Sequence, residues 1–469
     1  MISKKLAKDI LNACLLTGGD FAEIFYEEHY HSNFSLEGDK VETAGDSLET
    51  GVGIRILKDL RSVYGHTNDL SKKNLLTLAS NLSKSFEGKQ IKKVETLKNK
   101  NFKKVNKQIE SYKDLNKKEI ISVLKKCEKI ISDYDSRIVR IITGFLADWQ
   151  DVTIFNSDGF IYKDHREHGR LLLNSIASEN GKIETRFDGP GTQKGWEFFT
   201  KELNLEELSK NHAKKLILML GAKECPSGTF PVIIGSGWGG VIFHEACGHQ
   251  LEASSVAKKL SVFSDSFNTQ IANPIVSAYD DGTIPNEWGS NNIDDEGQPC
   301  QKNLLIDHGI LKGYLIDPFN ARRMKGFKPN GCSRRQSYKY EPTSRMSNTY
   351  IEKGESTPEE IIKNTKLAIY AVSFNGGSVN PATGEFNFGC SEAYLVRDGN
   401  IIMPLRGATL IGKATEILKH IDMVGNDVGL GQGMCGADSG SIPVNVGQPT
   451  IRIDEIIVGG RGGSIDELK

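Results

Sequence analysis

Glycine is distributed unevenly along this chain of 469 residues: 15 of the 48 glycines lie in residues 1–220 and the other 33 lie in residues 221–469. Frequent glycine favours short strands joined by tight turns, because glycine adopts backbone conformations that other residues avoid. A chain of this length is also long for one hydrophobic core. The sequence therefore predicts an α+β fold, with a mixed α/β domain over residues 1–220 and a mainly antiparallel β domain over residues 221–469.

Local patterns add detail to this division. Apolar residues at helical spacing predict helices over residues 6–16, 72–85, 117–132, 204–220 and 413–423. Alternating apolar residues predict half-buried strands at residues 21–26 and 51–56, and the sequence Asn-Ser-Asp-Gly at residues 156–159 predicts a hairpin turn. The N-terminal half is thus expected to contain most of the long helices.

A short motif in the C-terminal half indicates metal chemistry. Residues 244–249 read His-Glu-Ala-Cys-Gly-His and follow a glycine-rich run at residues 235–240. Catalytic zinc sites take three protein ligands and leave one position for water, and a nearby glutamate accepts the proton of that water. The motif predicts His244 and His249 as ligands and Glu245 as the general base, on a helix that lies on the β-rich domain. The alternative is a buried helix with two hydrogen-bonded histidines.

The spacing of the two histidines constrains the backbone. They are five residues apart, whereas the familiar helical zinc motif places them four apart. At about 3.6 residues per turn, side chains five apart point about 140° away from each other. A straight helix therefore cannot direct both imidazoles at one ion, and the segment is expected to bulge, or to stop before His249. Gly248 is the position where such a deformation is easiest.

A hydrolytic zinc site needs a third protein ligand. Glu252 could share a helical face with the second histidine, and Cys435 lies in a glycine-rich segment, residues 431–436, where a thiolate could approach an ion closely. Cys247 is interpreted as a small buried filler, and His308 as part of an exposed turn. On chemistry alone, Glu252 and Cys435 remain equal candidates.

The block at residues 227–252 closely resembles the TldD/PmbA family of zinc proteases, and specifically its TldD branch. Similar blocks follow at residues 294–297, 309–315, 345–350 and 434–450, so the resemblance covers nearly the whole second half, whereas the first half matches only in outline. Gln250 departs from the pattern, because glycine is expected more often at that position.

The resemblance implies His244, His249 and Cys435 as the ligands of one zinc ion per active site, with Glu245 acting on water. It thereby favours Cys435 over Glu252. It also implies a peptidase that hydrolyses unfolded or modified peptides, in a homodimer or in a heterodimer with a PmbA-like subunit. Two alternatives are a zinc amidase acting on a small molecule and a regulatory protein of the gyrase-modulator type.

Two further residues are predicted to contact the substrate. A peptidase needs a donor for the oxyanion that develops at the scissile carbonyl. Tyr338 and Arg345, in the polar stretch at residues 333–350, are the candidates. Surface or interface positions are the alternative interpretation of both residues.

Composition excludes several classes of partner. The formal net charge of -1 and the pI of about 6.8 give no overall field that attracts nucleic acid or anionic membranes. The lysine-rich segment at residues 89–129 is interpreted as a solvated connection. No apolar run approaches the roughly 18 residues that a membrane span needs. Eight scattered cysteines without a secretion signal predict a cytoplasmic protein with reduced thiols.

Overall fold

The computed structural model describes residues 2–380, 383–463 and 465. It contains 21% helix and 43% strand, which confirms the predicted α+β fold. Strands up to residue 192 form one eight-stranded sheet, and strands from residue 223 onward form three further sheets. Within the described ranges, no helix is long and apolar enough to cross a membrane.

In the N-terminal half, four helices pack on one sheet. Its helices are α1 (Lys4–Leu15), α2 (Lys72–Ser83), α3 (Lys117–Ser132) and α4 (Leu205–Leu220). Its strands are β1 (Phe21–Glu37), β2 (Lys40–Lys58), β3 (Arg61–Thr67), β4 (Lys98–Asn99), β5 (Ile138–Asn156), β6 (Phe160–Glu179), β7 (Lys182–Asp188) and β8 (Gly191–Thr192). The strand order is β3-β2-β1-β5-β6-β4, and β7 and β8 both pair with β6.

Side-chain caps explain where these helices begin. Ser71, Asn116 and Asn204 each accept a hydrogen bond from a backbone N–H in the first turn of α2, α3 and α4. The four helices predicted in this half are therefore confirmed, and so is the hairpin turn between β5 and β6, where Gly159 has a φ of 88°. One core joins α1 and α2 to β1 and β2, and another joins α3 and α4 to β5 and β6.

The C-terminal half is dominated by strands. Its helices are short: α5 (Val241–Ala246), α6 (Ala253–Val256), α7 (Pro318–Ala321), α8 (Pro358–Lys363) and α9 (Ala414–Ile417). Its first strands are β9 (Lys223–Glu224), β10 (Gly228–Ile234), β11 (Ala278–Asp281), β12 (Lys302–Asp307), β13 (Ile310–Leu311), β14 (Ser333–Arg334), β15 (Thr343–Ser344) and β16 (Asn348–Ile351). The later strands are β17 (Leu367–Val379), β18 (Glu385–Arg397), β19 (Asn400–Arg406), β20 (Thr409–Lys413), β21 (Ile421–Val424), β22 (Gly429–Ala437), β23 (Gly440–Gln448) and β24 (Ile451–Gly459).

Two sheets of this half enclose the largest core. One has the order β17-β10-β24-β20-β18-β19-β9, with β21 on β24, and the other has the order β13-β12-β11-β16-β23-β22. Apolar side chains from both sheets pack together in this core, and Val241, Ile242 and Phe243 of α5 pack among them. The helix that carries the histidine motif is therefore held from several sides by rigid elements.

The predicted helix at residues 413–423 is wrong over most of its length. Only α9 is helical, and the chain then turns and forms β21. Ile421 pairs with Ile453 of β24 and is 1% exposed. Strand pairing at the edge of the core therefore overrides the local helical pattern.

A buried ion network joins the two halves. Arg55 of β2 forms salt bridges with Glu23 of β1 and with Glu296, and Arg335 forms one with Glu23. All four side chains are at most 2% exposed. Because the interior solvates charges poorly, each of these groups depends on its partners.

We expect the Arg55→Met variant to lower the free energy of unfolding by about 3–5 kcal/mol, because it leaves buried carboxylates without their counter-charge. Urea denaturation followed by circular dichroism measures the change. The exposed pair of Glu37 and Arg140 provides a control, and Glu37→Ala is expected to have a much smaller effect. Equal effects in the two variants would show that the buried network does not stabilise the junction.

Candidate metal centre

The backbone of the histidine motif changes conformation between the two histidines. The α-helix α5 ends at Ala246, Cys247 has a φ of -114° and a ψ of -50°, and a 3-10 turn follows over Gly248–Leu251. The structure thus confirms that the helix stops before His249. At Gly248 a Cβ atom would lie 2.1 Å from Met346 Sδ, so glycine is needed there for close packing.

Alternating glycines let the strand that carries Cys435 pack closely against the turn that precedes the histidine motif. Glycines at residues 429, 431 and 433 alternate along β22, and successive side chains of a strand point to opposite faces. A Cβ atom at Gly429 would lie 2.8 Å from Ser236 Oγ, and at Gly433 it would lie 3.1 Å from the Trp238 ring. This face of β22 therefore packs closely on the 3-10 turn Gly237–Gly240 that precedes α5. Cys435 is the next residue on the same face.

Three donor atoms converge where the two segments meet. Cys435 Sγ lies 3.3 Å from His244 Nε2 and 3.2 Å from His249 Nε2, and the two imidazole rings are nearly perpendicular at 84°. His244 and Cys435 are buried, whereas the side chain of His249 is 17% exposed. Zinc binds imidazole nitrogen at about 2.0–2.1 Å and thiolate at about 2.3 Å, so atoms at these separations can share one tetrahedral ion.

The electrostatics of the cluster favour the metal-binding form of the cysteine. Burial alone raises the pKa of Cys435, but the neighbouring imidazoles of His244 and His249 outweigh it and lower the pKa to about 4. Burial likewise lowers the pKa of His249, but Glu252 and Cys435 outweigh it and raise the pKa well above its usual range. A thiolate is the form of cysteine that binds metals, and cation binding here would displace a proton from His249.

Glu252 lies behind the cluster. Its Oε2 atom is 3.2 Å from His249 Nδ1, on the side of the ring that faces away from Cys435. A carboxylate in this position orients a metal-binding imidazole and increases its basicity. The geometry therefore supports Glu252 as the orienting partner of His249.

Arg345 ties the cysteine strand to this carboxylate. Its Nη2 donates to the Cys435 carbonyl oxygen at 2.6 Å, and its Nη1 donates to Ser439 Oγ and to the Gly440 carbonyl oxygen at 2.9 Å each. Its Nε lies 3.8 Å from Glu252 Oε1, and the side chain is fully buried. These contacts fix the β22–β23 hairpin over the histidines, which is a positioning role. The contact of Arg345 with a substrate oxyanion stays a prediction.

We expect Glu252→Gln to lower zinc affinity by about 10–100-fold, because the amide orients His249 without the charge of the carboxylate. Competition with a chromophoric chelator measures the affinity. The Cys435 cluster is expected to hold its zinc ion at saturation, and Co²⁺ is expected to keep its thiolate charge-transfer band. Loss of stoichiometric binding even at saturating zinc would instead make Glu252 a ligand.

Glu245 lies at the open side of the cluster. Its Oε2 atom is 3.7 Å from His249 Nε2, and its side chain is 28% exposed. Glu245 and His249 line a cavity of about 700 Å³, together with Glu252 and the hairpin segment at residues 436–439. A carboxylate beside the metal donors and open to solvent can accept a proton from water at this position.

The other residues considered from the sequence lie elsewhere. Cys247 is buried in the C-terminal core, and His308 is in an exposed turn where Nδ1 lies 2.8 Å from Asp307 Oδ1. Tyr338 packs against Phe25 of the N-terminal sheet, and its hydroxyl lies 3.3 Å from Glu49 Oε1. The structure does not bring Tyr338 into contact with the three donor atoms.

Models of one protein family match most of the chain. Residues 22–85, 110–220 and 227–460 match domain 1, the central domain and the C-terminal domain of the PmbA/TldA metallopeptidases. The chain belongs to the PmbA/TldA metallopeptidase family. The family resemblance predicted from the motif blocks is therefore confirmed, and the match extends over the N-terminal half as well.

Individual members of the PmbA/TldA family cover nearly the whole chain. A protein named metalloprotease TldD homolog from Buchnera aphidicola is 34% identical over 449 residues, which are 94% of this chain and 93% of the relative. A protein of the same name from Haemophilus influenzae is 34% identical over 453 residues, with the same coverage. The crystal structure of TldE from Thermococcus kodakarensis superposes with a TM-score of 0.77 at 18% identity, covering 97% of this chain and 99% of TldE, and shows the same fold.

Proposed function

We propose that this PmbA/TldA family protein is a zinc-dependent peptidase that hydrolyses peptide bonds in unfolded or modified peptides. The observation that carries the proposal is the convergence of two imidazole nitrogens and one thiolate beside a partly exposed glutamate. The names of the relatives as metalloproteases support the same activity. His244, His249 and Cys435 would hold the ion.

In the proposed reaction, each residue around the site has a different role. Zinc bound by three protein ligands supplies Lewis acidity to a carbonyl and lowers the pKa of water to about 7. The Glu245 carboxylate accepts the proton of the attacking water and returns it to the leaving amine. Glu252 holds His249 in orientation, and Arg345 holds the strand that carries Cys435.

The shape of the site suits an extended peptide. The cavity beside Glu245 is open, and most of the residues that line it have polar side chains, including Ser254, Ser255 and Lys258. The strand β22 is at the end of its sheet, and its last two residues line this cavity. Main-chain pairing with an edge strand recognises a peptide with little regard to its side chains, which fits substrates that share only an unfolded backbone.

Cleavage of unstructured peptides tests the proposal. We expect the purified protein to cleave an unstructured peptide mixture, to lose this activity with a chelator, and to regain it with stoichiometric zinc, because the cluster binds through a thiolate and two imidazoles. Mass spectrometry of the products measures it. Zinc-dependent hydrolysis of small amides without peptide cleavage would favour the amidase, and absence of both hydrolysis and stoichiometric metal would favour a regulatory protein.

Assembly is a separate part of the proposal. We propose that two chains enclose the site, either as a homodimer or as a heterodimer with a PmbA-like subunit, as the family resemblance implies. Light scattering of the chain alone and with such a subunit distinguishes the two cases. A monomer in both samples would contradict the proposal.

A further inference from the structure

A second group of metal-binding side chains lies on the N-terminal sheet. His29 and His31 are two residues apart on β1, so both side chains point to the same face. Asp148 of β5 is directly opposite His31 in the β1–β5 pairing. One ligand atom from each of the three residues lies within 4.8 Å of the other two.

The contacts within this second group are close. His29 Nε2 lies 3.0 Å from Asp148 Oδ1, and the centroids of the two imidazole rings are 3.8 Å apart. The side chains of His29 and Asp148 are 14% and 29% exposed, so solvent reaches the group. Two imidazoles and one carboxylate are a donor set typical of zinc and other borderline divalent cations, whereas Mg²⁺ and Ca²⁺ prefer oxygen donors alone.

An outer carboxylate supports the imidazole of His29. Its Nδ1 atom lies 3.1 Å from Glu27 Oε1, and the Glu27 side chain is fully buried. Gln150 donates to the same Glu27 oxygen at 2.8 Å, which fixes the carboxylate in place. Metal-binding histidines commonly have such a carboxylate on the other ring nitrogen. The arrangement around His29 therefore repeats that of Glu252 behind His249.

The group faces a cavity of about 540 Å³ between the N-terminal sheet and the C-terminal half. Basic side chains also line this cavity. Lys339 pairs with Glu49, Arg166 with Asp295 at 2.7 Å and Arg335 with Glu23, whereas Arg170 and Arg334 donate to backbone carbonyl oxygens. Three of the five positive charges thus have a paired carboxylate. His168 lies beside the three residues: its Nδ1 atom is 3.9 Å from Asp148 Oδ2 and is a further potential donor to a cation.

This cavity is distinct from the one beside Glu245. Met434 of β22 lines it, and Met434 points to the opposite face of the strand from Cys435. The two clusters therefore lie on opposite sides of one glycine-rich strand. A cation at the second cluster would keep coordination positions open toward the cavity, where a carboxylate or carbonyl oxygen of a bound molecule could complete its coordination.

We propose that His29, His31 and Asp148 form a second site for a zinc-like divalent cation, separate from the cluster at Cys435. The competing arrangement uses the same residues without a cation, with a protonated His29 bridging Glu27 and Asp148. In that arrangement both carboxylates are satisfied, and added metal does not bind. The two cases differ in the number of ions that each chain holds.

Equilibrium dialysis of the full-length protein against Zn²⁺ at neutral pH, followed by metal analysis, tests the proposal. We expect two ions per wild-type chain, one in His31→Gln, one in Cys435→Ser and none in the double variant. A matched control is His165→Gln, because His165 also lies between two carboxylates, those of Asp151 and Glu167. It is expected to keep two ions.

One ion per wild-type chain, lost in Cys435→Ser and unchanged in His31→Gln, would overturn the proposal. Titration of the wild type with Co²⁺ gives an answer that needs no variant. The site at Cys435 is expected to give a thiolate-to-cobalt charge-transfer band, whereas the second equivalent should add visible ligand-field absorption without that band. Saturation after one equivalent would contradict a second site in the same way.

Discussion

Replacing Cys435 by serine is expected to remove the zinc ion that His244, His249 and Cys435 would hold, and to lower peptide cleavage to the level of the chelated enzyme. The two imidazoles hold the pKa of Cys435 at about 4, so the residue is a thiolate at neutral pH. A serine hydroxyl remains protonated there, and two histidines alone do not complete a hydrolytic site. We expect the zinc affinity to fall by more than about 100-fold, because loss of a residue that only supports a ligand already costs up to about 100-fold.

Cys247 provides the matched control for this variant. It lies between the two histidines in the sequence, but it is buried in the core, and burial raises the pKa of its thiol. Cys247→Ala is therefore expected to keep the zinc ion and the activity. Full occupancy in Cys435→Ser, together with loss in His244→Ala, would remove Cys435 from the ligand set and make Glu252 the third ligand.

The break in the helix between His244 and His249 can be predicted from the sequence, because helix geometry depends only on residues close together in the chain. Two histidines five positions apart cannot both face one ion on a straight helix, and α5 ends at Ala246 in the structure. The packing that requires glycine at position 248 is not local, because the neighbour is Met346. The sequence alone therefore predicts that the backbone changes direction but does not reveal what holds it there.

The choice between Glu252 and Cys435 could not be made from local chemistry. Glu252 does share a face with His249, as its spacing predicts, but it approaches the ring nitrogen that points away from the cysteine. The deciding signal is the alternation of glycines at residues 429, 431 and 433, which marks a strand face that packs closely against another segment. Cys435 continues that alternation, so the pattern could have identified it.

Strand lengths and long-range pairs were the least predictable parts of the fold. The strand expected at residues 51–56 extends back to Lys40, because its exposed portion pairs with β1 without an alternating apolar pattern. The histidines at 29 and 31 show the period of a strand, but Asp148 joins them only through the pairing of β1 with β5. Contacts of this kind follow from sheet register, which local patterns do not determine.

Replacing Glu245 by glutamine is expected to lower kcat by about 10²–10⁴-fold while the zinc ion at the Cys435 cluster stays bound, because the amide cannot accept a proton from water. Glu245 borders the cavity and is not among the three converging donors, so its loss should separate catalysis from metal binding. Parallel measurements of kcat and of zinc content check both expectations. Glu359→Gln, at an exposed position in the first turn of α8, is the control and should change neither. If Glu245→Gln lost zinc as well, Glu245 would belong to the ligand set, and if it kept full activity, another residue would have to serve as the base.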